Sequence, residues 1–140
     1  MSDAPGPDET GTPRADLEGT LIAAARLGDA PLDIAEVALA FAAMDRPGVP
    51  LERYRQELAA MIEAVKNQLS ALATDASMEK QVARVSRVLA DDLSFKGDTP
   101  TYDDPQNANL MRVIDRRKGL PVALGILYIH TARGQGWWAE

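Results

Sequence analysis

Residues 51–72 read LERYRQELAAMIEAVKNQLSAL. Leu51, Tyr54, Leu58, Met61, Val65, Leu69 and Leu72 follow one another at intervals of 3, 4, 3, 4, 4 and 3. That spacing places all seven on one stripe of a helix with 3.6 residues per turn. Ile62 widens the stripe. Two arrangements use such a stripe: a coiled-coil partner surface, or a long antiparallel helix within a bundle. About three heptads is the least that argues for a coiled coil, so the bundle helix is preferred.

Working outward, the same period recurs on both sides. Leu17, Leu21, Ala24 and Gly28 lie on one stripe, with Gly28 as a natural stop. A second helix is expected from near Pro31, with Asp29 as a cap, through Ile34, Val37, Ala38, Phe41 and Met44. Its circumference is mostly apolar or small, which predicts a deep position. Pro47-Gly48-Val49-Pro50 closes it. Beyond the central helix, Ser77 can cap another, with Met78, Val82, Val85, Leu89 and Leu93 as its buried stripe. Residues 95–107 read as an irregular connector, and helices near 108–117 and 121–133 follow, separated by Gly119-Leu120-Pro121. No alternating apolar pattern marks a strand. The expectation is an all-α bundle of about six helices. It divides into a disordered tail over 1–14, a helical region over 15–94 and a C-terminal unit over 95–140.

Composition narrows the chemistry. The 140 residues contain no cysteine and one histidine, His130. Disulfides, thiolate nucleophiles, iron–sulfur clusters and two-histidine zinc sites are therefore excluded. The net charge is −6, unevenly spread: −9 over residues 1–104 and +3 over 105–140. An acidic body repels phosphate backbones, so nucleic acid is a disfavoured partner. The longest apolar run, Leu120 to Ile129, is ten residues, against about 20 for a membrane span. The acidic, Pro- and Gly-rich start Met1-Ser2-Asp3-Ala4-Pro5-Gly6 lacks the form of a secretory signal. A cytoplasmic protein without cofactor or metal is expected.

Short motifs add little. No phosphate-binding loop occurs, and Gly134-Gln135-Gly136 follows a helix without a third glycine. Asp91-Asp92 and Asp103-Asp104 supply too few oxygens for a hard cation. His130 is expected to be a surface or satisfied core histidine. Arg112, Arg116, Arg117 and Lys118 form a basic cluster softened by Asp115. An anion site is one reading of it. Helix-end charge is the preferred one, with Arg116 also suited to buried bidentate pairing.

The C-terminal unit carries a more specific pattern. Phe95-Lys96-Gly97-Asp98, Tyr102, Asp104-Pro105-Gln106-Asn107, Leu110, Val113-Ile114, Arg116-Arg117-Lys118-Gly119-Leu120-Pro121, Leu124, Tyr128 and Ala132-Arg133 occur in order. This stretch resembles the SirB-type regulator family of the transglutaminase-like superfamily. The resemblance covers about 95–136, with Asp98 in place of the usual Asn and Ala108-Asn109 where Ser usually follows Asn107. It implies the N-terminal helical part of a transglutaminase-like α+β fold, cut short at Glu140 before the sheet. It marks Asp104, Pro105, Asn107, Arg116, Arg117, Gly119, Pro121 and Tyr128 as motif positions of structural character. Superfamily enzymes place a cysteine at the start of the central helix, which here falls at Pro121. Proline has no nucleophilic atom, so no catalytic residue is carried over. The implied role is a non-catalytic protein-binding or regulatory module. A protein partner or a second copy is expected on the apolar face of 121–138. The competing expectation is an acyl-transfer or amide-hydrolysing enzyme, inactive in this chain.

Overall fold

The computed structural model describes residues 13–27, 32–69 and 77–137. Among these, six α-helices run α1 Arg14–Ala25, α2 Ile34–Met44, α3 Glu52–Leu69, α4 Met78–Ser86, α5 Leu110–Arg116 and α6 Pro121–Gly134. The all-helical bundle read from the sequence is the fold observed. Of the expected tail over 1–14, residues 1–12 lie outside the described residues, and α1 already begins at Arg14. The stop at Gly28 and the cap at Asp29 also lie outside them. The second helix begins later than expected, at Ile34, where the Asp33 carboxylate accepts the Glu36 amide at 3.1 Å. An aspartate at this position satisfies one of the free amides of the first turn.

The central stripe is the core's axis. Leu51, Tyr54, Leu58, Met61 and Val65 are all buried. α3 packs along α6, whose Leu127 is fully buried, while α2 contributes Leu39 and α5 contributes Leu110, Met111 and Val113. Trp137, just past α6 on the 121–138 stretch expected to meet a partner, packs against this core and is partly buried. Trp138 lies outside the described residues.

Two helices depart from their predicted faces. Phe41 is exposed although α2 is apolar nearly all round, because Ala35, Leu39, Ala42 and Ala43 take the inner face. The small alanines let α2 come close, and Phe41 falls on the side away from the core. In the fourth helix, Met78 and Val82 are exposed, and the inward residues are Val85, Val88 and Leu89. Beyond Ser86 the chain switches to π-helix over Arg87–Asp92, where the Leu93 amide reaches back to the Val88 carbonyl at 2.9 Å. Within that wider turn the consecutive Val88 and Leu89 are both buried, which a constant 3.6 period does not anticipate.

The connector contains strand after all. Lys96–Gly97 (β1) and Lys118–Gly119 (β2) pair in parallel, Lys96 beside Lys118 and Gly97 beside Gly119. Two residues are too few to show alternation in sequence. A 3₁₀ turn, Pro105–Ala108, lies between them. No helix among the described residues is long and apolar enough to cross a membrane.

Candidate functional site

The motif residues of 95–121 converge on one buried polar cluster. Asp104 caps the 3₁₀ turn, accepting the Gln106 amide at 3.0 Å, and Pro105 supplies its first residue. This turn points Asn107 inward, where it is fully buried. Asn107 Nδ2 donates to the Thr101 carbonyl at 2.8 Å and the Tyr102 carbonyl at 3.2 Å. Its Oδ1 accepts from Arg116 at 3.0 Å, and its carbonyl accepts the Leu120 amide at 3.1 Å. One side chain and its own peptide thus tie the 98–107 loop, α5 and the start of α6 together. A buried amide that is fully bonded fixes a single arrangement, whereas an unbonded one costs free energy.

Arg116 uses a second nitrogen to reach Asp98 at 3.1 Å, and Asp98 is almost wholly buried. Asp98 also accepts the Thr101 amide at 3.2 Å and the Thr101 hydroxyl. The Thr101 hydroxyl is the main reason that the carboxyl is held low, at about 2. Burial opposes it, and the Thr101 amide, Arg116 and Asn107 assist it. The sequence marked Asp98 only as a departure from a familial Asn. The structure shows the charge answered by Arg116, so that Arg116 spans an amide and a carboxylate instead of a bidentate pair.

The sign of the acid dependence follows. The folded carboxyl is depressed from 3.8 to about 2, so its contribution is complete above 3.8 and is lost as pH falls through about 2. Thermal melts taken downward from about pH 5 should show this loss in the parent and a flatter acid limb in Asp98→Asn. Identical acid limbs would remove Asp98 from the account.

The remaining motif positions shape the exit into α6. Arg117 adopts a left-handed φ of 61°. Its guanidinium lies 4.8 Å from the Phe95 ring centre and 3.9 Å from the Glu57 carboxylate. Gly119 is buried, and a Cβ there would lie 2.8 Å from Val113 Cγ2 and 3.3 Å from the Asn107 carbonyl. Only a residue without a side chain fits that crossing. Pro121 opens α6. Tyr128 stands two turns further along, half-buried against the core and apart from the cluster. Of the basic run, Arg112 reaches Gln106 at 3.4 Å, and Arg116 and Arg117 are committed as described.

Two further constellations were not apparent from the pattern. Tyr54, a stripe residue by spacing, donates its hydroxyl to Asp115 at 2.7 Å. Arg46 and Arg53 pair with the same carboxylate at 3.3 and 2.8 Å. A lone phenol in an otherwise aliphatic stripe was the available signal. Asn109 caps α5 through the Arg112 amide at 3.2 Å and donates to the Ala42 carbonyl at 3.2 Å, joining α5 to α2. His130 Nε2–H donates to the Leu58 carbonyl at 3.2 Å, which makes it a satisfied, partly buried histidine. A cavity of about 320 Å³ lies between α2, α3 and α6, lined by Ile34, Ile62, Ile129, His130 and Arg133 among others. Among the described residues no three His, Asp or Glu side chains gather as metal ligands would.

These features define a helical scaffold locked by a buried Asp–Arg–Asn cluster at the entry to its inner helix. Residues 52–140 match the profile of the transglutaminase-like superfamily, and the chain belongs to that superfamily. It is similar to the UPF0162 protein of Xylella fastidiosa (strain Temecula1), with 27% identity over 112 residues. That alignment covers 80% of this chain and 39% of the relative. The UPF0162 protein of Vibrio cholerae shares 29% over 106 residues, 76% of this chain and 38% of the relative. F-box only protein 21 of Mus musculus shares 32% over 68 residues, 48% of this chain and 11% of that protein. The chain thus spans about two fifths of the bacterial relatives it matches. No solved structure matches it.

Proposed function

We propose that this chain is a non-catalytic, cytoplasmic binding module of SirB type that associates through the open side of α6. The observation that carries the reading is the composition of that helix. Its sequence from Pro121 to Ile129 has no charged residue, yet Val122 remains 68% exposed. A Cβ built on Gly125, one turn on, would meet nothing within 4 Å. Helices apolar on every side are normally covered on every side. A mid-helix glycine facing open space weakens the isolated fold without serving its packing, and it permits close approach by a second backbone. The absence of cysteine, with Pro121 opening the inner helix, supports the non-catalytic half of the reading.

The partner taken for the test is a second copy. Sedimentation over a concentration series should show reversible self-association, lost in Val122→Asp. A compact monomer at every concentration would sink this reading. Gly125→Ala should raise the stability of the monomer by about 0.5–1 kcal/mol while weakening association. Equal association by parent and variant would count against close approach at Gly125. A serine- or threonine-directed covalent probe should leave the chain unlabelled. Labelling abolished by removal of one hydroxyl would establish an enzyme instead.

A further inference from the structure

The paired strands carry a charge arrangement that the fold leaves unanswered. Lys96 and Lys118 stand side by side in the parallel ladder, where like charges repel. Among the described residues neither ammonium has a carboxylate within ion-pair distance, whereas the neighbouring Arg117 has Glu57 at 3.9 Å. Both residues of β1 are exposed. The Lys96 amide donates to the Arg117 carbonyl at 3.0 Å and the Asp98 amide to the Gly119 carbonyl at 3.4 Å. Ladder geometry therefore turns the Gly97 N–H and C=O toward the opposite, open edge. A Cβ on Gly97 would meet nothing within 4 Å, so the face of the strand at this residue is open too. The residues leading into the strands are held in the left-handed region, Ser94 at φ 63° and Arg117 at φ 61°. Non-glycine residues occupy that region at a cost, and it sets the direction of both strands.

We propose that the β1 edge docks an extended acidic segment of a partner protein, its main chain pairing with Gly97 and its carboxylates lying against Lys96 and Lys118. Unpaired strand edges are templates for another strand, and alternate side chains supply the selectivity. The two lysines select for negative charge. Nucleic acid fits less well, because it has no strand amides to pair with Gly97 and the body over residues 1–104 has a net charge of −9. The inference goes beyond the α6 reading and uses different residues, so either can fail alone.

The test is fluorescence anisotropy on the full chain with a labelled peptide of alternating Glu and Val. Saturable binding that weakens with salt is expected. Affinity should fall about tenfold in Lys96→Glu/Lys118→Glu, and similarly in Lys96→Gln/Lys118→Gln if charge reversal disturbs folding. The same peptide carrying alternate N-methyl amides keeps its charge but cannot pair, and it should bind no better than a control peptide with Lys in place of every Glu. No saturable binding of the Glu–Val peptide would overturn the proposal. So would full affinity in both lysine variants, full affinity of the N-methylated peptide, or tighter binding of single-stranded DNA.

Discussion

Tyr54→Ala is expected to lower the free energy of unfolding by about 3–5 kcal/mol. Tyr54 is fully buried on α3, and its ring is part of the main hydrophobic core. Truncation leaves a cavity that the surrounding helices cannot close, because the stripe on either side is already packed. The hydroxyl adds a smaller, separable part. It donates to Asp115 at 2.7 Å, and Asp115 keeps Arg46 and Arg53 when the hydroxyl is gone. Tyr54→Phe should therefore cost only about 1 kcal/mol. Denaturant melts of the two variants give the split, and equal losses would mean that the polar network, not the ring volume, governs the site. Alkali offers a second reading of the same residue. Burial, and next the bond to Asp115, raise the Tyr54 phenol above its ordinary 10. The unfolded chain then loses its proton first, so stability falls as pH rises through and beyond 10. Tyr54→Phe should remove that part of the fall.

Gly134→Ala should destabilise by about 1–3 kcal/mol, although the same exchange in an open helix stabilises. A Cβ at Gly134 would lie 2.5 Å from both Ile62 Cδ1 and Cγ1 and 2.8 Å from Cγ2. The branch atoms near the backbone of α3, as well as the tip, stand in the way, so a rotamer change alone does not clear the space. Bare Gly134 is what lets the end of α6 meet the middle of α3. The check is a double-mutant cycle with Ile62→Ala, in which the pair should cost less than the sum of the singles by about 1–3 kcal/mol. Strict additivity would show that the two residues do not compete for space. The contrast with Gly125, where open space predicts the opposite sign, makes the comparison internal to one helix.

Much of this was legible from residue order. The spacing of Leu51, Tyr54, Leu58, Met61 and Val65 gave the central helix and its buried face, and all five are buried. Pro121 marked the start of α6, and the motif run named Asp104, Asn107 and Arg116 as structural positions without showing that they meet in one polar cluster. Other features needed the third dimension. A two-residue parallel pair has no period to read, and β1 meets β2 across more than twenty intervening positions. Asp98 looked like a substitution until Arg116 and Thr101 were seen around it.

What the sequence by itself determined was helical class, the buried stripe of α3 and the lack of cysteine in these 140 residues, because periodicity and composition act locally and need no partner. Which way Phe41 and Val82 face, which cation answers Asp98 and Asp115, and why Gly134 must be bare were decided only by tertiary structure. Each depends on the position of a second element, and packing can re-phase a helix or bring distant charges together without leaving any trace in local spacing.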